Sequence, residues 1–210
     1  LASDLISSKL PVPYVDIVLP AAQEACAMSA RGRIGVVGTN ATLKSNAFGR
    51  AMRGIRSDIH VYGNPCPLLV HLVENGMIEP DNQITTLAVQ MYLEPLIKEK
   101  IHTLILGCTH YPLLRSTLHR LMGDEVTLVN PAYETAVELK TLLRDMDLTR
   151  SSEDLERFSE ENSRRAAAGD PILDQYQFFV SDRAENFTRF AKAILPKEVK
   201  DTKQINIEEY

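Results

Sequence analysis

The sequence predicts an α/β protein with a mostly parallel sheet, and three observations carry that expectation. Short β-branched runs alternate with longer helical patterns, as βαβ units require. Two runs, Ile34-Gly35-Val36-Val37 and Thr103-Leu104-Ile105-Leu106, are nearly continuous in apolar residues, as strands covered on both faces must be. Two loops, Val37-Gly38-Thr39-Asn40-Ala41-Thr42 and Leu106-Gly107-Cys108-Thr109-His110, share a strand–turn–helix plan with small hydroxyl residues just past the strand end.

Taken in order, Tyr14–Val18 is expected as a strand and Ala21–Ser29 as a helix. Arg33–Val37 is the next strand. Gly38 then permits a tight turn, and Thr42 or Asn40 can cap a helix over Leu43–Arg53. Asp58–Val61 reads as a strand, and the prolines flanking Cys66 restrict the backbone before a helix over Leu68–Asn75. Asn82–Glu99 reads as helix, Thr103–Leu106 as strand, and Pro112 suits the first turn of a helix over Leu113–Leu121. Val126–Val129 and Gln177–Val180 complete the strands, and Ala132–Asp145 and Glu185–Leu195 the helices. Arg150–Asp170, rich in Ser, Glu, Arg and Ala, reads as a solvated helix or excursion, and Ile205–Tyr210 as a frayed tail.

Composition narrows the functional classes. With 210 residues, 44% hydrophobic, the chain is long enough to bury a sizeable core in one domain or two. Its 23 Lys+Arg against 28 Asp+Glu give a net charge of −5, which is no footprint for nucleic acid. No apolar run approaches the ~20 residues that cross a bilayer. Three cysteines, Cys26, Cys66 and Cys108, show neither an even count nor metal-type spacing, so a reduced, cytoplasmic protein is expected. The chain starts at Leu1 without a Met or a signal-peptide pattern, as a fragment would.

The chemistry concentrates in Gly107-Cys108-Thr109-His110-Tyr111-Pro112. Cys108 and Thr109 fall at the carboxyl edge of the sheet, where open α/β folds bind ligands. A following helix N-terminus would favour a thiolate at Cys108, and His110 can exchange a proton near neutral pH. A lone cysteine reads more readily as a small buried apolar residue, and the six-residue combination at a strand end tips the balance towards function. The loop Thr39-Asn40-Ala41-Thr42 could cradle an anion or merely cap a helix. It carries neither a phosphate-loop lysine nor the three-glycine dinucleotide pattern. Glu74 could orient an imidazole or an ammonium if it faces a pocket. Cys26 and Cys66 read as packing, and His60, His71, His102 and His119 share no spacing.

These residues carry a resemblance. Thr103-Leu-Ile-Leu-Gly-Cys-Thr-His-Tyr-Pro-Leu-Leu114 resembles the signature around the second catalytic cysteine of glutamate racemases. Ile34-Gly-Val-Val-Gly-Thr-Asn-Ala-Thr42 and Cys66-Pro-Leu-Leu-Val-His-Leu-Val-Glu74 are similar to two further family stretches, in the same order and spacing. Phe178-Phe-Val-Ser-Asp182 and a helix with Phe187 and Phe190 resemble the family's last strand and helix, and His110 separates the chain from aspartate-racemase relatives.

The resemblance implies two flavodoxin-like α/β lobes with parallel sheets, the first truncated at its N-terminus. Residues 20–125 would form the lobe carrying the Cys-Thr-His motif, residues 1–19 and 126–196 the remainder of the other, and residues 197–210 a tail. It implies cofactor-independent interconversion of L- and D-glutamate by two thiols facing each other across Cα, supplying D-glutamate for peptidoglycan. Cys108 would be one thiol, assisted by His110. Thr109 with Thr39, Asn40, Ala41 and Thr42 would hold the substrate, and Glu74 would be the acidic residue beside the imidazole. The expected partner is the small molecule glutamate, with a homodimer left open and neither nucleic acid nor membrane involved.

The family's Asp-Ser-Gly loop, Pro-Tyr-Gly loop and Ala-Cys-Asn-Thr stretch, which carries the first catalytic cysteine, do not occur in these 210 residues. Asn130-Pro131-Ala132 also differs from an expected Asp-Ser pattern. The chain thus reads as about four-fifths of a two-lobed enzyme and is expected to show little racemase activity alone. The alternatives are a non-catalytic dicarboxylate- or partner-binding fragment and a racemase of another amino acid.

Overall fold

The computed structural model describes residues 3–169, 178–181, 185, 187–188, 191–192, 195 and 202–209. The chain divides into two compact units, Leu1–Leu142 and Leu143–Tyr210.

The first unit opens with α1 (Ser3–Lys9) and α2 (Leu19–Met28). The strand expected at Tyr14–Val18 does not form. Pro11 and Pro13 offer no ladder donors just before it. Asp16 Oδ1 instead accepts from the Val18 and Leu19 N–H groups at 2.6 and 2.9 Å, turning the chain into α2.

Next come β1 (Arg33–Gly38), α3 (Asn40–Ser45), α4 (Ala47–Ile55), β2 (His60–Pro65) and α5 (Pro67–Glu74). The single helix expected over Leu43–Arg53 is two, because Asn46 takes a left-handed conformation (φ 48°) that ends α3 and starts α4. β2 runs later than the expected Asp58–Val61. α6 (Gln83–Lys98) is capped by the Asn82 side chain accepting from the Thr85 N–H at 3.0 Å. β3 (Thr103–Gly107) follows, then a 3-10 turn over Tyr111–Leu114, α7 (Arg115–Met122), β4 (Thr127–Val129) and α8 (Pro131–Asp145).

All four strands are parallel, in the order β2-β1-β3-β4. The expected α/β class with a parallel sheet therefore holds. β4 pairs with β3, so the expected lobe boundary at residue 125 falls between two strands of one sheet. On one face, Ala21, Ala22, Ala25 and Cys26 of α2 and Phe48 and Met52 of α4 pack against Ile34, Val36, Ile105 and Val129. Each fully buried Leu or Ile side chain in such a core contributes about 2 kcal/mol of transfer free energy.

In the second unit, α9 (Ser152–Ala168) confirms a solvated helix within Arg150–Asp170, and none of its residues is buried. Ser151 and Asp154 close a capping box at its start. β5 (Phe179–Val180) pairs in parallel with β6 (Lys203–Gln204), and Ile207–Glu209 forms a 3-10 turn, so the expected frayed end is in part ordered. Phe178 and Phe187 rings lie 5.7 Å apart. Gln177, Asp182, Phe190 and Pro196 lie outside the described residues. Among those described, no helix is long and apolar enough to cross a membrane.

Candidate active site

Gly38, Pro65 and Gly107 end adjacent strands in register, so the three loops that follow leave the sheet side by side. Parallel pairing thus gathers the segments singled out in the sequence at one carboxyl edge.

Cys108 follows β3 directly and is partly exposed, the one cysteine of the three that is not buried. Its Sγ lies 3.7 Å from His110 Nδ1. On the other side of the ring, His110 Nε2 lies 3.2 Å from Glu74 Oε1 at the end of α5. Thr109 Oγ1 is 3.4 Å from His110 Nδ1. A proton on Nε2, shared with Glu74, leaves Nδ1 as an acceptor facing the thiol. The structure therefore aligns Glu74, His110 and Cys108.

Thr39, rather than Thr42 or Asn40, caps α3: its Oγ1 accepts from the Thr42 N–H at 3.3 Å. Thr42 Oγ1 sits 3.1 Å from Thr39 Oγ1 and donates to the Gly107 carbonyl at 3.3 Å, joining this loop to the cysteine loop. Asn40 and Ala41 are exposed in the first turn of α3, where backbone N–H groups have no intrahelical acceptor. The helix expected to begin at Leu113 is preceded by the 3-10 turn, so α7 starts only at Arg115 and its N-terminus does not adjoin Cys108.

Tyr111, to which the sequence alone assigns no role, ties the site together from within the core. Its side chain is fully buried, and its hydroxyl donates to the Cys66 carbonyl at 2.7 Å and approaches the Gly38 carbonyl at 3.2 Å. One residue thereby ties the cysteine loop to the ends of β1 and β2. The signal was available, since a buried tyrosine generally needs a partner for its hydroxyl. Burial pushes its phenol well above the ordinary range.

The other thiols occupy different settings. Cys66 is buried at the head of α5, its Sγ 3.3 Å from the Asn64 carbonyl. Burial, and then the nearby Cys108, push its thiol up to about 12. Cys26 is buried in α2, and burial likewise raises its thiol. A thiol raised by folding favours the folded chain below its ordinary value of 9.0 and withdraws that stability as pH rises towards about 12. Alkylation with iodoacetamide at pH 8, read by peptide mass spectrometry, is thus expected to label Cys108 first. Cys66 should react only as the protein opens at strongly alkaline pH. Equal labelling of all three at pH 8 would refute the assignment.

Residues 1–139 match the family model described as Asp/Glu/Hydantoin racemase. The chain belongs to this family. It is 37% identical over 201 residues to a glutamate racemase of Desulforudis audaxviator, covering 96% of this chain and 68% of that relative. A glutamate racemase of Geobacter metallireducens is 33% identical over 207 residues, at 99% and 69% coverage. Among solved structures, a glutamate racemase isoform of Bacillus anthracis aligns with a TM-score of 0.79 at 30% identity, over 97% of this chain and 69% of its own. The family likeness expected from the cysteine, threonine and Pro-Leu-Leu stretches is borne out. The chain spans 68% and 69% of the two curated relatives, a smaller share than the four-fifths expected.

Proposed function

We propose that this chain is part of a glutamate racemase in which Cys108 is the acid/base on one face of the substrate Cα. The alignment of Glu74, His110 and Cys108 at the edge of the sheet is the observation that carries the proposal. In the forward half, the Cys108 thiolate takes the α-proton and becomes a thiol, leaving a carbanion stabilised by the adjacent carboxylate. In the reverse half, the thiol returns a proton to the same face. His110 poises the thiol, and Glu74 positions the imidazole. Thr109, with Thr39, Asn40, Ala41 and Thr42, holds the carboxylates and ammonium of glutamate through hydroxyl and backbone groups. Proton transfer of this kind involves no electron transfer, so side chains alone supply the acid and the base. The product D-glutamate would serve peptidoglycan synthesis.

Inversion needs a second acid/base on the opposite face, and neither Cys26 nor Cys66 offers one, both being buried thiols raised by burial. These 210 residues alone are therefore proposed to exchange the α-proton without inverting the centre. The test incubates each glutamate enantiomer with the chain in deuterated water, following α-deuteration by NMR and optical activity by circular dichroism. The expected result is deuteration of one enantiomer with its ellipticity kept. Saturable binding of glutamate without deuteration of either enantiomer would overturn the proposal in favour of a non-catalytic binding module.

Glu74→Gln keeps the size of the side chain and removes its charge. Glu74 is about half exposed, so solvent already weakens its pairing with His110. The expected effect is a roughly threefold to tenfold loss of deuteration rate. An unchanged rate would remove Glu74 from the site.

A further inference from the structure

We propose that a second ligand site lies beneath the break between α3 and α4, and that it takes a small organic anion, a carboxylate or phosphate head on a short apolar body. The inference does not depend on the role of Cys108. A cavity of about 380 Å³ opens there against β1 and the edge strand β2. That volume is within the range of small-molecule pockets. Its inner wall is apolar, with Val36 and Phe48 both buried. Its rim carries Arg53 and Asn46. Among the described residues, neither of these two side chains has a hydrogen-bond or ion-pair partner.

Local sequence choices create the space. The left-handed conformation at Asn46, which asparagine tolerates better than most residues, turns its amide over Gly49. A Cβ at Gly49 would lie 2.1 Å from Asn46 Oδ1 and 3.5 Å from Arg53 Nη1, so the absence of a side chain there is what lets the Asn46 amide lie over α4 beside the Arg53 guanidinium. Across the cavity, a Cβ at Gly63 would meet Leu43 Cδ1 at 2.4 Å.

Charge identifies the ligand class. Asn40–Ile55 contains Lys44, Arg50 and Arg53 and no acidic residue, in a chain whose net charge is −5. An arginine without a carboxylate partner at the rim of an apolar cavity pairs with an anionic head, and the inner wall takes an apolar body. Thr42 lines the same cavity and donates to the Gly107 carbonyl, so an occupant would touch a residue bonded to the strand end that precedes Cys108.

The test is an NMR titration of the 210-residue chain with phenyl phosphate, benzoate, inorganic phosphate and benzyl alcohol. Saturable shifts centred on the Asn46, Gly49 and Gly63 amides are expected with phenyl phosphate or benzoate, and the tighter of the two identifies the head group. Arg53→Gln, an exposed change that leaves the fold intact, should weaken that binding roughly tenfold. Asn46→Asp, which adds a negative charge, should weaken it as well. Absence of saturable shifts at these amides with both organic anions overturns the proposal. So does wild-type affinity in both variants, or benzyl alcohol binding as tightly as the anions. Inorganic phosphate binding as tightly as phenyl phosphate would overturn the apolar half of the ligand.

Discussion

Replacing Cys108 with alanine is expected to lower the rate of α-deuteration of glutamate roughly a thousandfold while leaving the melting temperature within about 2 °C of the parent. The loss is expected to be large because neither of the other two thiols can take over. Cys66 lies one residue beyond the end of β2, which β1 separates from the Cys108 strand, and it is fully buried with its thiol held near 12. At neutral pH it is a thiol, not a base. Cys26 sits in the α2 core, its sulfur 3.8 Å from the Met52 carbonyl. His110 stays in place in the variant but loses the thiol it faces at 3.7 Å. The small stability change follows from the partial exposure of Cys108, whose removal opens no core cavity. Cys66→Ala supplies the opposite pattern: deuteration kept, and about 1 kcal/mol of stability lost from a buried site. If deuteration survives in Cys108→Ala, or vanishes in Cys66→Ala at unchanged melting temperature, the assignment of the acid/base is wrong.

Much of this site is legible in the amino-acid sequence. The two apolar strands Ile34–Val37 and Thr103–Leu106 announce themselves because a strand buried on both faces has no polar side to show. Parallel pairing then brings Thr39–Thr42 and Cys108–His110 to the same edge by geometry alone. Glu74 was harder, since a carboxylate eight residues past Cys66 faces the imidazole only if α5 leaves the sheet at the right angle. That angle is set by Pro67 at the first turn of α5 and by the Tyr111 bond to the Cys66 carbonyl.

What escaped the sequence has local physical causes. Val15, Ile17 and Val18 look like strand formers, yet Asp16 satisfies two backbone N–H groups itself and commits the segment to a helix entry. The break at Asn46 was invisible because Leu43–Arg53 keeps a helical pattern through it, and one left-handed residue redirects the chain without altering that pattern. The short pairing of β5 with β6 depends on contacts across more than twenty residues of sequence, which periodicity does not report. The cavity rimmed by Arg53 and Asn46 is a product of the same break, so it too required the structure.

Gly107→Val is the second large expected effect, and it acts on the fold before the chemistry. An added Cβ would lie 2.9 Å from the Val37 carbonyl oxygen, 3.2 Å from Phe48 Cε2 and 3.3 Å from Thr42 Cγ2. Val37 belongs to the partner strand, paired with Leu106, so its carbonyl cannot withdraw without parting β1 from β3. A flexible side-chain end could rotate away from such a contact, whereas backbone in a central strand cannot. The expected cost is about 2–4 kcal/mol, a fall of roughly 5–15 °C in melting temperature for a chain of this length. The Gly107 carbonyl also accepts from Thr42, and Cys108 is the next residue, so the folded fraction of the variant should deuterate glutamate more slowly. Gly54→Ala provides the contrast. It lies in the last turn of α4 with nothing within 4 Å of an added Cβ, and alanine there should stabilise by about 0.5 kcal/mol through helix propensity. Thermal melts of the two variants should therefore move in opposite directions. A Gly107→Val melt matching the parent would mean that β1 and β3 do not approach as closely at their carboxyl ends as this site requires.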